Sequence, residues 1–380
     1  MDFEFTEEQR QLREAVEGFL AKEYTFERLR AIQRSGGGWD RAVWGSLAEL
    51  GVTALNVPVS CGGLGFGPTE TLALMEACGP SLMLEPVLTS AVIATALLRQ
   101  YETTASVAPL LRAMAGGERI VALAHAEPRS RFDTRWVETR AEPFADGYTL
   151  TGQKSVVAHA GIADTLIVSA RIRGAAGEER GMALFLVPRD AAGLRLAEFP
   201  TLDGQRAAEV YLTEVRVGSS ARVSGEGEAL PAIEAALDVG LAALCAEAVG
   251  IMEAVVKSTV DYLNTRQQFG HPIGRFQVLQ HRVADMVIHL EQARSMSYLA
   301  AMRCTSCNAA ERRRELSAAK VVIGDAARFV GQQSIQLHGG MGMTDEMRVS
   351  HWFKRLTAIE MLFGDGDFHL QRYAESMRSP

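Results

Sequence analysis

Between residue 120 and about residue 217 the chain breaks into short β-branched and aromatic runs, and on either side of that block it reads with the spacing of helices. The runs 137–141, 148–152, 165–169, 182–187 and 210–212 are short, rich in β-branched and aromatic residues, and separated by Gly, Pro and Asp. Strand runs with no helical segment between them favour an antiparallel sandwich or barrel over βαβ units. Before the block, Thr6 is followed by Glu8 and Gln9 and then by Leu12, Val16, Phe19 and Leu20, an N-cap and an apolar stripe at helical spacing. After it, 231–268, 276–308 and 317–336 are rich in Ala, Leu, Val and Met with few breakers, which suggests a four-helix-bundle arrangement. The expected fold is a multidomain α+β chain: an N-terminal helical domain over 1–118, a middle antiparallel β-domain over 119–228 and a C-terminal four-helix bundle over 229–380.

With 380 residues, 47% of them hydrophobic and 22% charged, the chain has ample material for a core. Its net charge of -7 argues against nucleic acid as a partner. The opening Met1-Asp2-Phe3-Glu4-Phe5-Thr6-Glu7-Glu8 is acidic where a leader would be basic, and no apolar run reaches membrane-spanning length. The expected location is therefore the cytoplasm, with no membrane span. Five scattered cysteines, Cys61, Cys78, Cys245, Cys304 and Cys307, suit a reducing compartment and free thiols. Cys304 and Cys307 form a lone C-x-x-C without the second pair or the histidines of a zinc site, so no metal is expected. The segment Cys61-Gly62-Gly63-Leu64-Gly65-Phe66-Gly67-Pro68 lacks the spacing and the lysine of a phosphate-binding turn and reads as a plain loop.

Gly339, Gly340 and Gly342 fall within four residues, shortly after the Ala-rich helical run 317–329. Glycine has no Cβ and reaches positive φ at little cost. The stretch is either a helix C-cap with a tight turn or a place where backbone approaches a ligand closely.

Five motifs stand in order along the chain: Phe5-Thr6-Glu7-Glu8-Gln9, Gly62-Gly63-Leu64-Gly65, Gly152-Gln153-Lys154, Arg266-Gln267-Gln268-Phe269-Gly270 with Ile273 and Gln277, and Gln336-Leu337-His338-Gly339-Gly340-Met341-Gly342. In combination they resemble the acyl-CoA dehydrogenase family over essentially the whole length. Within it the chain is most similar to the two-subunit branch that includes the small subunit of pimeloyl-CoA dehydrogenase. The resemblance implies that family's fold, FAD as cofactor, an acyl-CoA thioester as substrate and an electron-transfer flavoprotein as acceptor. It also implies FAD at a subunit interface, its pyrophosphate and adenine end held by a neighbouring chain. The matching residues are Arg266, Phe269 and Gln277, with Gln336, Leu337, His338, Gly339 and Gly340 as a second wall. The residue types suit that role, since a guanidinium fork fits phosphate oxygens and a glycine pair lets backbone N–H groups approach an anion.

The flavin end departs from the family. Where members carry Thr-Glu-Pro-Gly-x-Gly-Ser-Asp against flavin and thioester, this chain reads Ala126-Glu127-Pro128-Arg129-Ser130-Arg131-Phe132-Asp133. Two arginines and a phenylalanine take the places of two glycines and a serine. The next motif, Lys-x-Trp-Ile-Thr-Asn, becomes Lys154-Ser155-Val156-Val157-Ala158-His159, without the aromatic shelf and the threonine that bonds the ring.

Dehydrogenation of an acyl-CoA also needs a carboxylate to take the α-proton. At the family's usual position, counting from the upstream helix reaches Phe363 and counting back from Arg372 reaches Asp365, an ordinary turn residue by its glycine neighbours. At the alternative position on the first long C-terminal helix stands Gly240, and seven residues on comes Glu247. Glu247, among small apolar residues, is either a desolvated functional acid or the partner of an arginine. The candidate bases are thus Asp365 and Glu247.

Residues that serve a neighbour's FAD are kept, and those of the chain's own flavin pocket are altered. The first expectation is one half of a hetero-oligomer, α2β2, with a second acyl-CoA dehydrogenase subunit. The second is a self-sufficient homo-oligomer with a remodelled pocket, in which Arg129 or Arg131 meets a carboxylated acyl tail such as pimeloyl. The third is a non-catalytic acyl-CoA-binding or scaffold subunit.

Overall fold

The computed structural model describes residues 6–377; Phe5 of the opening motif lies outside them. Thr6 caps the first helix, α1 (Glu7–Glu23): its hydroxyl accepts from the Gln9 N–H, and the Gln9 side chain accepts from the Thr6 N–H. Helices α2 (Phe26–Arg34), α3 (Arg41–Glu49), α4 (Pro68–Cys78), α5 (Thr95–Leu98, continuing a π-helical stretch Val87–Ala94) and α6 (Val107–Ala115) follow. Strands β1 (Val121–Ala124), β2 (Arg140–Phe144), β3 (Gly147–Ala158), β4 (Thr165–Arg171), β5 (Met182–Pro188), β6 (Leu194–Pro200) and β7 (Arg206–Gly218) form the middle of the chain. Then come α7 (Ala229–Thr265), the short hairpin β8 (Gln267–Gln268) and β9 (His271–Pro272), α8 (Gln277–Arg303), α9 (Ala309–His338), α10 (Arg348–Met361) and α11 (Gly366–Ser376). The expected order, helical then β then helical, is the order found.

These elements pack as two compact units. One holds the described residues up to Arg34, Pro68–Met83 and those from Leu241 onward, hence α1, α2, α4, most of α7 and α8 to α11. The other holds Ser35–Gly67 and Leu84–Gly240, hence the large sheet with α3, α5, α6 and the start of α7.

In the second unit the seven strands make one sheet in the order β1-β4-β2-β3-β7-β6, with β5 on β4. Most pairs are antiparallel, but β1 runs parallel to β4, with Val121 opposite Thr165, and β2 meets β4 in parallel at Arg140 and Arg171. The purely antiparallel expectation is corrected there. The β2–β3 hairpin lies between β1 and β4 in sequence, which gives the chain length enough to return in the same direction. Leu97, Leu98, Val107 and Leu111 pack with Val121, Ile167 and Leu184 and with Ile233 of α7 into a continuous buried core.

In the first unit α7 is long and apolar enough to cross a membrane, yet 83% of its most apolar window is buried within the structure, as in a core helix. Its crossing with α4 is backbone against backbone: a Cβ at Gly250 would sit 2.1 Å from the Glu76 carbonyl oxygen. That closeness carries the Glu76 side chain into the interior, where it meets Arg13 of α1 at 3.2 Å and Arg294 of α8 at 3.8 Å. Burial pushes its carboxyl from the ordinary 4.5 up to about 7, against the pull of Arg294 and Arg13.

The folded chain thus holds a proton on Glu76 that the unfolded chain gives up. This carboxyl's contribution is fully present below pH 4.5 and is lost as the pH rises through about 7. Glu76→Gln stays neutral throughout. Its stability relative to wild type, measured by denaturant unfolding, should improve by about 3 kcal/mol between those two limits. A difference that does not change with pH would show that Glu76 does not titrate in this range.

Candidate functional site

The end of α7 and the end of α9 are tied together by a ring stack: Tyr262 lies on His338 with centroids 4.5 Å apart and planes 27° apart. The His338 Nδ1 also meets the Ser334 carbonyl at 2.8 Å, and burial lowers the imidazole's pKa, so the ring is a neutral internal anchor. Leu337 is buried beside it. These two side chains, expected to touch cofactor, instead hold the helix end from within. Beyond them Gly339 takes φ 59 and ψ -143, a conformation nearly restricted to glycine, and both Gly339 and Gly340 are exposed with open space where a Cβ would stand.

After Tyr262 the chain turns into the hairpin. The Arg266 N–H donates to the Tyr262 carbonyl at 2.8 Å, and the Ile273 N–H donates to the Arg266 carbonyl at 2.9 Å. Phe269 and Gly270, both at positive φ, form the two-residue turn between β8 and β9. The turn leaves the Phe269 ring 86% exposed, with Phe276 edge-on at 5.9 Å. Arg266, Gln277 and Gln336 are likewise exposed, and among the described residues Arg266 has no side-chain partner. Bare glycine backbone, a free guanidinium and an uncovered aromatic ring on elements tied by one stack form an end that fits a dinucleotide's phosphates.

The carboxylates are differently placed. Glu247 of α7 is buried and receives Arg355 of α10 in a two-point pair, Nε at 2.6 Å and a second nitrogen at 2.7 Å. Of the two readings of Glu247, the structure shows the arginine's partner, which corrects its assignment as a free general base. Asp365 accepts from the Phe368 N–H at 2.8 Å and caps α11. The loop before it is held from beneath. Lys320, buried and pushed down to about 8 by that burial, donates to the carbonyls of Glu360 at 2.7 Å and Gly364 at 2.8 Å. His369 meets the Phe363 carbonyl at 3.1 Å. Phe363, the other residue reached by counting, carries no carboxylate. Asp365 as a base is therefore a carboxylate already engaged in a helix cap.

In the second unit the flavin-side loop rests on a buried network that the sequence did not reveal. Glu127 accepts from Lys154 Nζ at 2.7 Å, from the Thr139 hydroxyl at 2.6 Å, and from the N–H groups of Thr139 and Glu138. Lys154 also reaches the His125 carbonyl at 3.2 Å and the Ser169 hydroxyl at 3.0 Å. Burial alone would raise the Glu127 carboxyl, but Lys154 and these donors outweigh it and hold it low. Burial pushes Lys154 down to about 8 and His125 down to about 3. The Ser130 hydroxyl locks the turn by accepting from the Glu127 N–H and donating to the Glu127 carbonyl, both at 3.0 Å.

On that base sit three arginines. Arg129 pairs with Glu138 at 3.4 Å and lies over Trp136, and Arg135 grips Asp133 at two points. Arg131 is exposed, has no side-chain partner among the described residues and takes φ 47. Its position matches the second glycine of the family's motif, and here the backbone takes a left-handed conformation under an arginine side chain. Such a conformation costs an L-residue about 1 kcal/mol. Farther on, a bulge in the β3–β7 pairing falls between Lys154 and Val157. Glu209 pins it by accepting from Ser155 Oγ at 2.7 Å, Gln153 Nε2 at 2.9 Å and the Val156 N–H at 3.3 Å. Val156, at φ 52, and Ala158 are exposed, so neither an aromatic shelf nor a hydroxyl is offered there. This end does not fit the flavin ring.

Three family models match the chain in sequence: acyl-CoA dehydrogenase N-terminal domain over residues 6–118, middle domain over 122–217 and C-terminal domain over 228–378. Benzylmalonyl-CoA dehydrogenase of Aromatoleum aromaticum is 30% identical over 370 residues, covering 94% of this chain and 95% of that one. Among solved structures, a Tcur3481-Tcur3483 steroid ACAD superposes with a TM-score of 0.86 at 28% identity over 98% of each chain. The ChsE4-ChsE5 complex from Mycobacterium tuberculosis gives 0.88 at 24% identity over 100% of each chain, a likeness of fold.

The engagement of Glu247 has a measurable signature. Arg355→Met leaves a buried carboxylate alone and should lower stability in urea unfolding by about 3–5 kcal/mol. Adding Glu247→Leu to that variant should recover most of the loss. A double variant as unstable as the single one would show that the ion pair is not what the arginine supplies.

Proposed function

Because the chain belongs to the acyl-CoA dehydrogenase family, we propose that it works as one subunit of a hetero-oligomeric enzyme, in which it lends one wall to FAD seated mainly in a homologous partner. The family's members are FAD-dependent oxidoreductases acting on CH–CH groups of acyl-CoA thioesters, and this chain is one of them. When bound, FAD supplies the acceptor for the β-hydrogen as hydride, while a carboxylate takes the α-proton. In this chain Arg266 and the backbone N–H groups of Gly339 and Gly340 would hold the pyrophosphate, Phe269 would cover the adenine end, and Gln277 and Gln336 would bond the polar edges. Leu337 and His338 hold that turn in place.

The observation that carries this reading is the contrast between the two ends. The groups that face a neighbour's pyrophosphate are exposed and uncommitted, whereas both candidate bases of this chain are engaged, Glu247 by Arg355 and Asp365 by the cap of α11. A carboxylate tied up in an ion pair or a helix cap is not positioned to reach an α-proton, so the base is expected from the partner. Val278 and Ile288 on α8 lie exposed, apolar surface suited to a second chain. The named pairing of the Tcur3481-Tcur3483 steroid ACAD supports an assembly of two different chains. For the acyl group we favour a dicarboxylic one such as pimeloyl, supported by the sequence resemblance and by the benzylmalonyl relative. The proposed electron acceptor is an electron-transferring flavoprotein.

Co-expression with a second acyl-CoA dehydrogenase chain tests the reading. The chain alone should purify with little flavin, and the flavin absorbance should appear with the assembled complex. In that complex Asp365→Asn, which keeps the helix cap, should leave turnover within about twofold of wild type, because the side-chain oxygen that caps is retained. Full FAD occupancy and turnover by the isolated chain, lost on Asp365→Asn with FAD still bound, would establish a self-sufficient enzyme instead.

A further inference from the structure

We infer that the Arg131 side chain blocks flavin from the β-unit of this chain, in addition to the missing aromatic shelf and hydroxyl at Val156 and Ala158. The inference rests on the shared-FAD reading above and goes beyond it by naming one residue responsible.

Backbone and side chain at this loop are set by different interactions. The backbone path is fixed from below: Ser130 is buried and bridges the N–H and carbonyl of Glu127, and Glu127 is held by Lys154, Thr139 and Glu138. None of those bonds involves the Arg131 side chain. At Arg131 the chain takes φ 47, the conformation a glycine supplies freely and one in which Arg is not among the residues usually found. The loop thus takes a glycine's geometry without a glycine. A backbone conformation kept against its residue's preference is held by its surroundings, and such positions concentrate where function is set.

The side chain, by contrast, does nothing for the fold. Arg129 and Arg135 of the same loop are engaged by Glu138 with Trp136 and by Asp133. The Arg131 side chain is exposed and has no ion pair, hydrogen bond or ring contact among the described residues. A long cationic group at a position whose glycine would leave bare backbone takes up the space a planar ring needs for close approach. Its removal should disturb nothing beneath it.

The experiment is a titration of the purified chain, without partner, with FAD, followed by flavin fluorescence, on wild type, Arg131→Gly, Arg131→Asn, Arg131→Lys and Arg129→Gly. Gly and Asn both accept the left-handed conformation, so at least one should fold as well as wild type, which a thermal melt verifies. Both should bind FAD about tenfold more tightly than wild type or more, a gain of at least about 1.4 kcal/mol. Arg131→Lys and Arg129→Gly should remain as weak as wild type. Folded Arg131→Gly and Arg131→Asn proteins that bind no better would overturn the inference and leave the shared-FAD reading standing; a wild-type chain that already binds FAD fully would overturn both. An equal gain in Arg129→Gly would overturn it by assigning the exclusion to loop charge in general. Weaker binding of pimeloyl-CoA by the Arg131 variants, with no gain of flavin, would overturn it by assigning Arg131 to a carboxylated acyl tail.

Discussion

The buried pair of Glu247 and Arg355 is the constraint on which the chemistry of the helical unit depends. It joins α7 to α10 by two short charge-assisted bonds inside the structure. An isolated carboxylate in that setting would be a candidate general base, because burial disfavours its charge. Paired, it becomes a fixture: both carboxylate oxygens are taken up by Arg355, so neither is free to face a substrate. The pair also lies next to the crossing of α4 and α7. A Cβ at Gly79 would come within 2.5 Å of the Glu247 carbonyl oxygen, so α7 at Glu247 is fixed by backbone contact on one side and by a salt bridge through its side chain.

A second buried ion pair plays the corresponding part in the sheet unit. Lys154 of β3 and Glu127 of the loop after β1 are joined at 2.7 Å, with the Lys154 side chain wholly inside. Here the loop's backbone hydrogen bonds end on Glu127, so the pair decides where the altered residues stand without choosing what they are. This separates two kinds of change. Substituting the network would move the loop; substituting Arg129 or Arg131 changes only what the loop presents.

How much of this could be read from the sequence follows from how local each feature is. The order of helical and β segments was legible because periodicity is a property of neighbours in the chain, and the helices found at Ala229–Thr265, Gln277–Arg303 and Ala309–His338 lie close to the runs of helical composition. Strands β1 and β6 were not legible. Val121–Ala124 is too short and apolar to show a period, and Leu194–Pro200 is half exposed on both faces. The parallel pairing of β1 with β4 depends on contacts across the β2–β3 hairpin. Glu247 could be recognised as an unusual carboxylate, but its partner lies 108 residues away on another helix, and no spacing rule reaches that far. Asp365 between glycines read as a turn residue, and its cap on α11 is the same local chemistry seen in three dimensions.

The strained backbone positions show how the path of a loop can be set apart from the side chains it presents. Of the seven non-glycine residues with positive φ among those described, five, Arg131, Val156, His159, Phe269 and Phe363, fall in the motifs through which the family is recognised or from which the chain departs. Each is held by something other than its own side-chain preference. The Glu127 network holds Arg131, Glu209 bonds the Val156 N–H, and the Phe269 turn closes the β8–β9 hairpin. The His159 ring is braced between the Leu84 carbonyl and the Thr89 hydroxyl, and the Phe363 carbonyl is held by His369. Buried polar groups that over-determine a backbone let the exposed side chains on it change freely, because the energy of the conformation is set elsewhere. A motif comparison records only those side chains. The path of such a loop can therefore persist under exposed side chains that differ from those of the family's motifs.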